Sequence, residues 1–217
     1  VGGMAYRFYI WKKLKQPGMT LFPTPDGGTA MGVLKETFLF PSLFRGDKVL
    51  WAMSWIFHVM LAFIFVGHIR VFMDFPWLWK ALSINPETMS AIAGGAAGVA
   101  IMIMATLLLL RRMGTQRVRE ISAFSDYFAL FLILGIILTG NYMRFLEVTP
   151  AGEPGMLEQT RAYFGALVTF KAAEAASLSP MFLLHFLIGQ LLFLYIPFSK
   201  ILHFGGIFFT QAALKRS

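Results

Sequence analysis

Four apolar blocks, each long enough to cross a bilayer as a helix, constrain this chain more than any other feature. The first, Trp51 to Phe72, reads WAMSWIFHVMLAFIFVGHIRVF. Its apolar residues run together instead of alternating with a strand period or forming one helical stripe, as expected of a segment solvated by lipid. The others cover residues 89–110, 124–146 and 178–203. At about 1.5 Å per residue, residues 49–72 extend roughly 36 Å, enough for a tilted crossing. Composition agrees: 57% of residues are hydrophobic, 14% are charged and the mean hydropathy is +0.66, against about 25% charged in a soluble domain.

The expected fold is an all-α membrane protein: a bundle of four complete transmembrane helices plus the remnant of an N-terminal fifth. The remnant is inferred from Val1, Gly2, Gly3 and the run to Trp11, where no intact signal peptide is found. Three regions follow: a basic segment over residues 1–48, a transmembrane bundle over 49–203 and a tail over 204–217. In the first, Lys12, Lys13 and Lys15 precede a turn-rich stretch with Pro17, Gly18, Pro23, Pro25, Gly27 and Gly28. Thr29 to Phe40 then reads as a short amphipathic helix ended by Pro41. This segment is either a solvated linker or a docking surface offering Leu21, Phe22, Leu39 and Phe40. Trp77 and Trp79 suit a membrane interface. The second block is rich in small residues, among them Gly94, Gly95 and Gly98, and Gly95, Ala96 and Ala97 favour close helix packing over cofactor clearance. Residues 156–176 read as an amphipathic surface helix, and Pro197 predicts a break before His203.

Charge sets the expected orientation. Residues 1–48, 111–120 and 199–217 hold fourteen of the nineteen Lys and Arg residues, whereas 73–88 and 144–177 hold four with six acids. The positive-inside rule puts the amino-terminal segment, the arginine loop and the carboxyl tail in the cytoplasm. The basic residues are topology signals facing a lipid bilayer, not a nucleic-acid surface.

All four histidines of the chain lie in the first and last blocks: His58 and His68, ten residues apart, and His185 and His203, eighteen apart. In the expected orientation His58 and His203 lie toward the cytoplasm, and His68 and His185 lie in the outer half. Imidazoles inside a bilayer need a partner, and a haem between helices is held well by two of them. The separations are about 15 Å and 27 Å along ideal helices, so tilt or the Pro197 break must bring the second pair level. Zinc needs three or four converging ligands, which these pairs do not offer. There is no cysteine, which excludes disulfides, iron–sulfur clusters within this chain and covalent c-type haem attachment. The reading is two haem b groups held by His58, His68, His185 and His203.

The histidine spacings resemble those of the dihaem gamma subunit of respiratory nitrate reductases. Ser42-Leu43-Phe44-Arg45, His68-Ile69-Arg70-Val71-Phe72, Val118-Arg119-Glu120-Ile121-Ser122, Asp126-Tyr127-Phe128 through Gly140, and Pro197 to Gly206 bring the likeness nearer to the DsrM-like branch. That branch comprises the membrane cytochromes b of the sulfite-reduction-associated DsrMKJOP complex. The resemblance covers residues 42–217 well and 1–41 loosely. It implies five helices, pairing of His58 with His203 and of His68 with His185, and quinone chemistry with menaquinone. It also implies a cytoplasmic iron–sulfur partner related to heterodisulfide reductase, and further membrane and periplasmic subunits, in sulfate respiration.

Three arginines are further cofactor-binding candidates. Arg70 either snorkels to the interface or meets a haem propionate or a quinone. Arg111 and Arg112 either mark topology or meet the propionates of the inner haem. Lys80, Asp74, Glu147, Lys171, Asn141 and Tyr142 are outer-side candidates for quinone hydrogen bonding, none singled out by spacing. Two other function classes stay open: a haem-free membrane anchor of a soluble enzyme, and a proton or ion transporter using the histidines as relays.

Overall fold

The computed structural model describes residues 2–13, 29–147, 155–171 and 178–203. The expected Leu21 and Phe22 surface, Glu153, Glu174, and the tail with Gly205, Gly206, Lys215 and Arg216 lie outside the described residues. All regular structure among the described residues is helical.

Three short helices come first: α1 Gly2–Lys13, α2 Thr29–Leu39 and α3 Pro41–Gly46. The turn-rich stretch from Pro17 to Gly28 lies outside the described residues, whereas α2 is the short helix expected before Pro41. Pro41 does end α2, but it also opens α3 at the first helical position, where proline's missing N–H costs nothing. Between them Phe40 adopts φ 50°, a left-handed conformation unusual for a bulky residue.

The first span, α4 Lys48–Ile69, opens on Asp47, whose side chain accepts from the Leu50 N–H at 2.9 Å. Two proline-led turns follow, α5 Pro76–Ala81 and α6 Pro86–Met89. A π-helical turn at Ser90–Gly94 then runs into α7 Gly95–Gly114, completing the second span. After the short α8 Gln116–Glu120 comes the third span, α9 Phe124–Phe145, and then the surface helix α10 Met156–Val168. The last span is α11 Pro180–Tyr195, capped by Ser179 and continued by a 3₁₀ turn at Ile196–Phe198. Among the described residues four helices are therefore long and apolar enough to cross a membrane, as composition required, and the chain is a multi-pass membrane protein.

The order of packing positions the site. Among the described residues α4 packs on α7, α7 on α9 and α9 on α11, whereas α4 and α11 do not pack along their lengths. Phe57, Ile101 and Ala105 form the buried centre on the α4–α7 side, with Ile133 and Ile137 of α9 against them. Small residues let α7 and α9 approach: the Asn141 amide donates to the Gly98 carbonyl at 2.9 Å, and a Cβ at Gly98 would overlap the Asn141 side chain. The glycines of the second span do serve packing.

Candidate functional site

The open flank between α4 and α11 is where the histidines meet. The rings of His58 and His203 lie with centroids 5.8 Å apart and planes at 89°. Those of His68 and His185 are 6.2 Å apart with planes at 10°. The pairing expected from depth is the pairing in space.

The mismatch of ten residues against eighteen is resolved at Pro197. From His185 the helix continues ten residues to Tyr195 and stops, matching the ten residues between His58 and His68. Beyond Tyr195 the chain turns through 3₁₀ geometry, becomes extended at Ser199 (φ −117°, ψ 166°) and makes a second 3₁₀ turn at Lys200–Leu202. His203 follows that turn and lies level with His58. Residues 185 and 203 are therefore not on one helix.

Each ring has its Nδ1 engaged. His58 Nδ1 meets the Ser54 carbonyl at 2.7 Å, His68 Nδ1 the Ile64 carbonyl at 2.7 Å, and His203 Nδ1 the Lys200 carbonyl at 3.0 Å. A carbonyl only accepts, so these three rings carry their proton on Nδ1. His185 Nδ1 lies 2.9 Å from Thr139 Oγ1. In three rings by direct donation, and in the fourth by its place opposite Thr139, Nε2 is left as the free ring nitrogen. This is how a metal-bound imidazole is usually oriented.

A metal bonded to one nitrogen of each ring at about 2.0–2.1 Å would hold the two centroids about 6 Å apart. Both pairs meet that spacing, so the donor set fits a haem iron held by two imidazoles. Among the described residues no group of three or more His, Asp or Glu side chains gathers to hold a metal ion.

The surroundings of the two pairs differ. At the inner pair the Phe40 ring stands edge-on to His58, with centroids 5.3 Å apart. The indoles of Trp51 and Trp55 donate to the carbonyls of Leu39 and Phe38 at 2.8 and 3.0 Å, binding the end of α2 to α4. At the outer pair an aromatic cluster joins Phe72, Phe164 and Tyr163 to Phe182 and Phe186, the last beside His185. Gly140 leaves room for His185: a Cβ there would come within 3.2 Å of His185 Cε1.

None of the three arginines meets a histidine. Arg70 is only 9% exposed, so it does not snorkel. Its guanidinium donates to the Pro86 carbonyl and to Glu87 at 3.2 and 3.3 Å and lies 3.5 Å from Asp74. Arg111 pairs with Asp47 at 3.2 Å, tying α7 to the start of α4. Arg112 donates to Ser122 at 2.7 Å and lies 3.5 Å from Asp126. Two groups that sequence reasoning passed over complete these networks. Arg161 of α10 donates to the Arg70 carbonyl and to Asp74. Lys200 meets the buried Asp126 at 2.8 Å, holding the turn that carries His203. Asp74, outside the spans, also accepts from the Trp79 indole; that bond and the Arg161 bond hold its carboxyl well below the usual range. Asp47 is likewise lowered, chiefly by the Leu50 N–H. Glu147 accepts from Ser179, while Lys80, Lys171 and Tyr142 are exposed.

The nitrate reductase gamma subunit family matches residues 41–214. An Hdr-like menaquinol oxidoreductase cytochrome b-like subunit of Archaeoglobus fulgidus is 33% identical over 202 residues, covering 84% of this chain and 59% of that protein. The counterpart from Archaeoglobus profundus is 29% identical, with 57% of its length covered. The respiratory nitrate reductase 1 gamma chain of Escherichia coli is 30% identical over 160 residues, 70% of this chain and 69% of its own. The chain thus spans somewhat more than half the length of the Archaeoglobus proteins. With the family matched across most of its length, the chain belongs to the nitrate reductase gamma subunit family.

Proposed function

We propose that this protein is a membrane cytochrome b that carries electrons between a membrane quinone and a soluble partner, through two haem b groups each held by two histidines. His58 and His203 hold the inner haem, and His68 and His185 the outer. The observation that carries this reading is the pair of facing imidazole couples, 5.8 and 6.2 Å between centroids, between α4 and the stretch formed by α11 and the turn beyond it, while α4 and α11 otherwise do not pack. When bound, haem supplies one-electron chemistry. The chain's own residues present Nε2, fix each ring by its Nδ1 bond and surround the couples with apolar side chains that tune potential. The couples lie about 15 Å apart along α4, spaced to pass charge from one side of the membrane to the other.

The finer reading follows the charge asymmetry and the relatives. The quinone is menaquinone, named in the Archaeoglobus relatives. The basic end, with residues 1–48, the arginine loop and the tail 204–217, faces the cytoplasm around the bundle of residues 49–203. There it meets an iron–sulfur subunit related to heterodisulfide reductase, within a sulfur-metabolism complex of the DsrMKJOP type that has other membrane and periplasmic subunits. Arg70 at the outer end, and Arg111 and Arg112 at the inner, bracket the two haems.

Haem content of the protein purified from membranes, with a reduced-minus-oxidised spectrum, tests this. Two haems per chain are expected. His58→Ala or His203→Ala should remove one, and His68→Ala or His185→Ala the other. A wild-type protein without a b-type α band would leave a membrane anchor. Histidine variants that keep both haems would instead leave a relay for protons or ions.

A further inference from the structure

His185 is the one histidine whose Nδ1 is held by a side chain of another helix. Thr139 of α9 is 7% exposed. Its Oγ1 lies 2.8 Å from the Gly135 carbonyl, 3.0 Å from the Ile136 carbonyl and 2.9 Å from His185 Nδ1. A hydroxyl has one proton to give. Both carbonyls lie within reach of that proton, and threonine commonly gives it to the backbone of its own helix. Toward His185 the oxygen is then left as an acceptor for Nδ1–H. The tautomer of His185 is therefore set by Thr139. The following residue, Gly140, provides the clearance that lets the ring reach it.

The other three rings donate to backbone carbonyls of their own turns. A carbonyl cannot be exchanged by changing a side chain. His185 also has the Ile136 carbonyl near it, but it alone meets a side-chain oxygen as well, one already polarised by giving its proton away, which makes it the ligand whose electron donation the sequence can adjust. We infer that Thr139 is a positioning residue that fixes the His185 tautomer and sets the reduction potential of the outer site without affecting the inner one. This rests on the haem reading above. An Nδ1–H bond makes a bound imidazole more basic, which favours ferric iron. Removing the acceptor should raise the outer potential.

The experiment is a mediated redox titration of the wild-type holoprotein and of Thr139→Val and Thr139→Ser, followed optically. In it one electron from added dithionite reduces each ferric iron to ferrous. Thr139→Val keeps the shape but removes the acceptor. It should raise the reduced-to-oxidised ratio of the outer haem about tenfold at a fixed potential, about 59 mV for one electron, while the inner haem titrates as before. Thr139→Ser should restore the wild-type value. If Thr139→Val instead loses one haem and Thr139→Ser retains it, the hydrogen bond is again what holds the site. An unchanged outer potential in Thr139→Val, equal shifts at both haems, or a Thr139→Ser that behaves like Thr139→Val would each overturn the inference while leaving the haem reading intact. A wild-type protein lacking haem would instead overturn that reading, and this inference with it.

Discussion

The two ends of the bundle solve the same problem by different means. At the outer end both histidines sit on spanning helices, and a neighbouring helix seats one of them through Thr139 and Gly140. At the inner end one histidine sits on α4 and its partner beyond the end of α11, on a turn pinned by Lys200 to the buried Asp126. The outer pair is thus held by helix packing, which is apolar and short-range. The inner pair is held by charge, in the Arg112–Asp126–Lys200 group, with the Phe40 ring against His58. A change in packing volume should damage one end, and a change in charge the other.

The sharpest test of that contrast is Gly140→Leu. Even a single Cβ at this position would approach His185 Cε1 to 3.2 Å, and the larger side chain has to displace the ring. Overpacking of this kind costs about 1–3 kcal/mol. The variant should lose the outer haem and keep the inner, as read by haem per chain. Loss of both would show that the two ends are not independent. Next in size is Asp126→Ala. Asp126 is 8% exposed and faces Lys200 and Arg112. Removing it leaves two cations without their acceptor and frees the turn before His203. Because Lys200 is largely exposed, the expected cost is about 1–2 kcal/mol, below that of a fully buried pair. Inner haem retention on heating should fall while the outer is unchanged.

This division also explains what could be read from the chain in advance. The four spans were legible because lipid solvation demands long apolar blocks, and the pairing was legible because charge orients the helices and so orders the histidines by depth. Thr139 was not. A threonine inside a span is ordinary, and only its three-dimensional neighbour makes it a ring acceptor. A signal was present in Thr139-Gly140, a polar residue beside a small one in the middle of an apolar block. The partners of Arg70 were not legible because its acceptors, Pro86 and Glu87, follow only after a turn whose path sequence does not fix. Arg161, Asp126 and Lys200 escaped for the same reason: ion pairs between distant segments leave no periodicity to read.

Phe40 sharpens the comparison from the inner side. Its φ of 50° places a bulky residue in left-handed geometry, a strain of about 1–2 kcal/mol that glycine does not incur. Phe40→Gly should therefore be more stable to heat than Phe40→Ala by about 1 kcal/mol. Both variants remove the ring that stands against His58, so both should shift the inner haem potential by the same amount and leave the outer one alone. Equal thermal stability of the two variants would mean the left-handed geometry carries no strain.

The smallest effect belongs to Asp74, where the outer end also uses charge. Its carboxyl is held low, first by the Trp79 indole and then by Arg161. A carboxyl whose folded pKa is depressed contributes stability that is complete above its unfolded value, about 3.9, and is lost as pH falls below it. The stability gap between wild type and Asp74→Asn should accordingly be flat from neutral pH down to about pH 5 and shrink only in stronger acid. As Asp74 is partly exposed, that gap should not exceed about 1 kcal/mol. It should be read at the outer haem, because Arg161 joins Asp74 to the Arg70 carbonyl at the end of α4, just past His68. An effect of that size at the inner haem instead would mean that charge at the outer end acts on the whole bundle, and the division between a packed end and a charged end would fail.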